Sequence, residues 1–193
     1  TFSKVKGLST LLQAEGKTFT DFSNDFEAGN APSLANIDLL FVGSFLTNDA
    51  QKKATYVSMG NALRTFVSQG GTVVVLCQAD QDMSTESWLE PPRSVSRCDT
   101  DFASAVAMQS THVLLNTPEV ITAADLTGWR VPSTWGSVNT IWESLSNFTE
   151  GAAVLTAAAT SAANSGLIET GWGSGRALFY AMAFDKAWES GNA

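Results

Sequence analysis

The chain has 193 residues, enough for one domain with a sizeable core, and its 11 basic against 19 acidic residues give a net charge of −8. Duplex nucleic acid and anionic membrane surfaces attract clustered Lys and Arg; here the basic residues are few and scattered, which excludes both as partners. No apolar run reaches the 18 or more residues of a membrane span. No charged-then-apolar leader opens the chain, and a first residue of Thr1 rather than Met leads us to expect a processed or trimmed product.

Phe2, Val5, Leu8, Leu11 and Leu12 trace one helical face, and Gly16 follows as a stop. Lys17 to Phe22 reads as a short strand, and Asn24 to Asn36, rich in Gly, Asn and Pro, as a loop. Ile37 to Val42 is a nearly unbroken apolar run closed by Gly43, the pattern of a strand buried on both faces. Asn48-Asp49 can cap the next helix, whose face carries Tyr56, Met59, Leu63, Phe66 and Val67 before Gly70-Gly71 ends it. Thr72 to Cys77 is then a second buried strand.

Gln78 to Thr111 shows no long period and reads as a functional loop or an insertion, with only Phe102 to Met108 suited to a helix. His112 to Leu115 is short and apolar, and Thr122 to Trp129 holds a short helix at best. Ala152 to Ala159, Gly166 to Trp172 and Arg176 to Met182 are strand-like. They are separated by turn residues, Asn164-Ser165-Gly166 and Gly173-Ser174-Gly175, so they form an antiparallel meander on the sheet edge. Asp185 to Glu189 starts a closing helix. With no repeat and no change of composition, residues 1–193 read as one α/β domain, in three layers: a mostly parallel sheet, helices on both faces, and an antiparallel C-terminal edge.

Chemistry in such sheets gathers at the carboxyl ends of the strands, which draws attention to Cys77. As a nucleophile it needs a base, and His112, the only histidine, is the sole candidate. Otherwise Cys77 is a small buried hydrophobe, or is bonded to Cys98 and ties the long irregular segment to the sheet. A lone His112 also fits a ring held by a backbone carbonyl. Asp80, Asp82, Glu86 and Glu90 follow the Cys77 strand. As paired carboxylates they can serve glycoside cleavage or Ca²⁺ binding, but Asp80-Gln81-Asp82 lacks the glycine and closing glutamate of a calcium loop, so a solvated acidic loop is the plainer reading. Metal-binding cysteine and histidine sets are absent, and no cofactor is expected. Of six tryptophans, Trp88, Trp135 and Trp142 fall in loop-like regions and would form an exposed patch for a sugar or a protein, whereas Trp129 and Trp172 suit packing. Asn147-Phe148-Thr149 matches a glycosylation acceptor, which matters only in a secreted eukaryotic protein.

Three segments carry a family resemblance: Leu63 to Val74 across Gly70-Gly71; His112 to Pro118 with Ile121-Thr122, Asp125 and Gly128-Trp129; and Gly171 to Tyr180. In that order they resemble the class I glutamine amidotransferase-like superfamily, and more narrowly its non-amidotransferase branches, such as trehalose-utilisation-like domains and the trimerisation domain of some β-galactosidases. The resemblance implies a flavodoxin-like sheet. It also implies loss of catalysis. Cys77 sits between Leu76 and Gln78, not in the glycine-flanked elbow of a working amidotransferase, and no histidine follows His112. In that fold a central strand precedes the first helix, so the resemblance implies a strand supplied from before Thr1 or by a second polypeptide, or else a rearranged sheet. The resulting expectation is a non-catalytic interaction or assembly module of a larger secreted, periplasmic or envelope protein. The alternatives are a hydrolase using Cys77 and His112 or the loop carboxylates, and a carbohydrate-binding module.

Overall fold

A computed structural model describes residues 7–76, 86–90, 93–102, 105–107, 109–122, 124–125, 142–149, 151–157, 165–181, 185 and 188. Helices α1 (Gly7–Ala14) and α2 (Ser23–Glu27) precede strand β1 (Leu39–Val42). After a 3₁₀ turn at Leu46–Asn48 come α3 (Ala50–Ser58), α4 (Gly60–Ser68) and β2 (Thr72–Val75). Strands β3 (Ser94–Phe102) and β4 (Ala105–Ala107), a 3₁₀ turn at Val113–Leu115, and β5 (Trp142–Thr149), β6 (Gly151–Ala157), β7 (Ser165–Trp172) and β8 (Gly175–Tyr180) complete the order.

The strands form one mixed sheet in the order β1-β2-β8-β7-β5-β3, with β6 beside β7 and β4 beside β6. β1, β2 and β8 run parallel, Leu40 opposite Val73 and Val73 opposite Ala177. β7 is antiparallel to β8 and β6 antiparallel to β7, so the expected C-terminal meander is present. It enters the sheet through β8, next to β2. The α/β class therefore holds, and the antiparallel section extends further through β3, β4 and β5.

Side-chain alternation along the parallel strands divides the sheet into two faces. Leu40, Val42, Val73, Val75, Ala177 and Phe179 join Tyr56, Met59, Leu63, Phe66 and Val67 of the α3–α4 region in the main hydrophobic cluster. Asp49 caps α3 as expected, its Oδ1 accepting the Lys52 N–H at 2.9 Å. The long helix expected from Tyr56 to Val67 is instead two, broken at Met59. The break sets Gly60 against the Trp88 side chain, 3.6 Å from where a Cβ would stand.

The β7–β8 turn docks on the end of α4. Ser174 N–H donates to the Ser68 carbonyl and Arg176 N–H to the Gly71 carbonyl, both at 3.2 Å. The approach requires glycine. Gly173 has φ +60°, and a Cβ there would lie 2.2 Å from the Ser68 carbonyl oxygen; at Gly175 it would lie 2.2 Å from that of Val67.

Three expectations are corrected. Asn24 to Asn36 is not all loop, since α2 starts at Ser23. Phe102 to Met108 gives no helix: β3 ends at Phe102 and β4 holds Ala105–Ala107 paired to β6. Lys17 to Phe22 forms no strand. A strand needs a hydrogen-bonding neighbour, and a cleft of about 540 Å³ separates this segment from the 36–41 stretch, with Leu12, Phe19 and Leu39 in its walls.

Candidate functional site

Three places in the described structure hold functional-looking geometry: the free edge of β1, the segment that returns under α3 and α4, and a polar cluster on the opposite sheet face.

At the edge, β1 pairs with β2 alone among the described residues. Thr72 N–H donates to the Asp38 carbonyl and Leu76 N–H to the Val42 carbonyl, each at 2.9 Å. In a parallel ladder alternate residues face alternate neighbours, so Leu39 and Phe41 turn their N–H and C=O groups away from β2. Leu39, an apolar side chain 49% exposed, and Phe41 border the cleft described above. Extended backbone on one side and the Lys17–Phe22 segment on the other leave a slot with apolar walls.

The residues that follow β2 split between described and undescribed. Cys77, Asp80 and Asp82 lie outside the described residues, as does Trp135. Trp142 is in β5, and Cys98 is in β3 opposite Ser144, but neither side chain is among those described. The Cys77–Cys98 pairing lies outside the described residues.

Glu86 and Trp88 are described, and both differ from expectation. Trp88 is only 1% exposed, so it is no part of a surface patch; its ring stacks on Phe179 (centroids 6.0 Å) and tilts against Trp172 (5.9 Å). Glu86, expected in a solvated acidic loop, is 4% exposed and accepts hydrogen bonds from Tyr56 Oη (3.0 Å) and Trp88 Nε1 (2.8 Å). Burial, with the Glu86 carboxylate adding to it, pushes the Tyr56 hydroxyl well above its ordinary pKa. Arg64 of α4 fastens the same segment from outside, its Nε donating to the Trp88 carbonyl at 3.2 Å and pairing with Glu90 at 3.3 Å. The segment is an anchor in the core. An apolar ring flanked by a carboxylate two residues earlier reads equally as loop or plug in sequence, so only the fold distinguishes them.

On the other face, His112 Nε2 lies 2.6 Å from Glu169 Oε2, and Glu169 Oε1 accepts Arg176 Nη1 at 3.0 Å. Tyr180 lies near: burial, then the Glu169 charge, push its hydroxyl up to about 12. His112 Nδ1 accepts the Leu114 N–H at 3.3 Å, making the ring the cap of the 3₁₀ turn. The expected carbonyl partner is thus replaced by a carboxylate and a backbone N–H. Both ring nitrogens of His112 therefore have partners, Glu169 on one side and the Leu114 N–H on the other.

Sequence reasoning missed Glu169, Arg176 and Tyr180. The available signal was Glu169 itself, the single charge in its strand, with Arg176 just across a glycine turn. A further buried polar group sits after β1: Asp185 Oδ2 accepts the Ser44 N–H at 2.9 Å, while Ser44 Oγ has no partner. Among the described residues no three His, Cys, Asp or Glu side chains converge as a metal site, and no helix is long and apolar enough to cross a membrane.

No protein-family model matches the chain, and no curated protein matches it by sequence. Solved structures do. The β-galactosidase from Rahnella sp. R3 superposes with a TM-score of 0.53 at 17% identity, over 93% of this chain and 25% of that one. A cytoplasmic protein of Salmonella typhimurium gives 0.52 at 11% identity, over 95% of this chain and 83% of that one. At such identities the likeness is one of fold. The chain spans about a quarter of the β-galactosidase it resembles, so the same architecture exists as part of a multi-domain glycoside hydrolase.

Proposed function

We propose that the chain is a non-catalytic member of the glutamine amidotransferase-like superfamily, in its non-amidotransferase branch. In this reading it serves as an interaction or assembly domain of a larger secreted or envelope protein. The observation that carries this is the open β1 edge. Leu39 and Phe41 turn their peptide groups away from β2, and both residues line a cleft whose other wall is the 17–22 segment. A strand from another domain, subunit or preceding segment would pair there by β-augmentation, with main-chain bonds giving affinity and the apolar walls giving selection.

Two further observations support the reading. The lone histidine is held by Glu169 and caps the Val113–Leu115 turn, a structural placement. Trp88 is in the core, which reduces the carbohydrate patch to Trp135 and Trp142. The comparable fold also occurs inside a β-galactosidase as one portion of a longer chain.

Hydrogen exchange tests it. The Leu39 and Phe41 amides are expected to exchange freely in the isolated 193-residue chain and to be protected in the intact protein purified from its source. Protection of both in the isolated monomer, or freedom in both samples, would reject a strand-accepting edge. Iodoacetamide labelling of Cys77 well below pH 8 would instead restore the hydrolase.

A further inference from the structure

We propose that His112 is a proton-operated catch: protonation of Nδ1 releases the Val113–Leu115 turn while the ring remains held by Glu169. The argument rests on donors and acceptors. A backbone N–H can only donate, so the Nδ1 that caps Leu114 is unprotonated. The ring proton is then on Nε2 and points at Glu169 Oε2, 2.6 Å away. Glu169 is fixed in turn by Arg176 on its other oxygen.

When the imidazole takes up a second proton, that proton has one place to go, Nδ1. Two N–H groups then face each other and the cap on Leu114 is lost. The Glu169 contact changes in the opposite sense, from a hydrogen bond of a neutral ring to a full ion pair. The charged group in contact with the ring is Glu169 of β7, which in turn meets Arg176 and Tyr180 of β8; Glu119 and Asp125 lie further along the ring's own segment. Glu169, at the shortest distance, keeps the ring in place.

The turn governs more than one amide. Asn116 Nδ2 donates to the carbonyls of Ser110 and His112, and Ile121 N–H to that of Leu115. This small knot displays Val113 and Val120, 54% and 65% exposed. Loss of the cap therefore loosens a segment bearing exposed apolar side chains.

The test is NMR on the intact chain. Between about pH 8 and about pH 5, the protection factor of the Leu114 amide, corrected for intrinsic exchange, should fall about fivefold, the worth of a lost capping bond. His112→Asn offers a cap acceptor that does not titrate, and its Leu114 protection should stay constant. Equal loss in both proteins, or none in the wild type, overturns the proposal. The imidazole ¹⁵N shifts of the wild type are a second readout that needs no variant: Nδ1 must be unprotonated at neutral pH, and a proton found there also overturns it.

Discussion

The two faces of the sheet differ in what accompanies their apolar packing. One face, Val73, Val75, Ala177 and Phe179, packs under α3 and α4 and is sealed by the buried Trp88. The other carries Glu169 and Tyr180 and meets the 109–122 segment through His112. Apolar packing is insensitive to pH and costly to cut. A polar cluster tolerates the loss of an exposed member but titrates. Both faces bury apolar side chains, Val74 and Leu178 among them on the second, but only the second adds a titrating polar cluster.

Trp88→Ala should break the contrast most severely. It removes the ring between Trp172 and Phe179 and leaves Glu86 and Tyr56 short of a partner, an expected loss of about 3–5 kcal/mol in urea unfolding. A loss below about 1 kcal/mol would mean that the 86–90 segment is dispensable and the seal lies elsewhere.

The second face should show itself at alkaline pH. The Tyr180 hydroxyl titrates at about 12 in the folded protein, against about 10 unfolded. The unfolded chain thus gives up its proton first. Stability from this group is fully present below about pH 10 and falls by on the order of 2 kcal/mol as pH rises toward about 12. Tyr180→Phe should flatten that part of the pH–stability curve, leaving the contribution of the only other tyrosine, Tyr56, which acts in the same direction. Parallel curves for the two proteins would remove Tyr180 from the account.

Arg176→Ala should have the smallest effect. The guanidinium is half in solvent, so loss of its bond to Glu169 is expected to cost less than about 1 kcal/mol by the same unfolding measurement. A larger cost would show that the polar face is as tightly coupled as the apolar one.

The elements that could be read in advance were those bounded by strong punctuation. β1 ends at Gly43, α4 ends at Gly70-Gly71, and the β7–β8 turn is Gly173-Ser174-Gly175; each boundary is a backbone requirement visible in single residues. The break at Met59 was hidden because Met59, Leu63 and Phe66 continue the same apolar face on both sides of it. β3 and β5 were hidden for another reason. Their runs, SVSRCDTDF and WESLSNFT, are mixed and polar, and pairing rather than hydrophobic period makes them strands. The polar cluster depends on residues 57 positions apart, and no local pattern links His112 to Glu169. Trp88 was misplaced because its neighbours resemble a loop; what buries it is the space left beside Gly60.

The place of β8 has a consequence for biosynthesis. This strand, Gly175–Tyr180, is made after every other described strand, yet it completes the parallel trio beside β2. Until then the nascent polypeptide carries a valine-rich ribbon, Thr72–Val75, with one side bare and prone to sticking. Mispairing of that ribbon is thus a hazard of synthesis rather than of the finished fold.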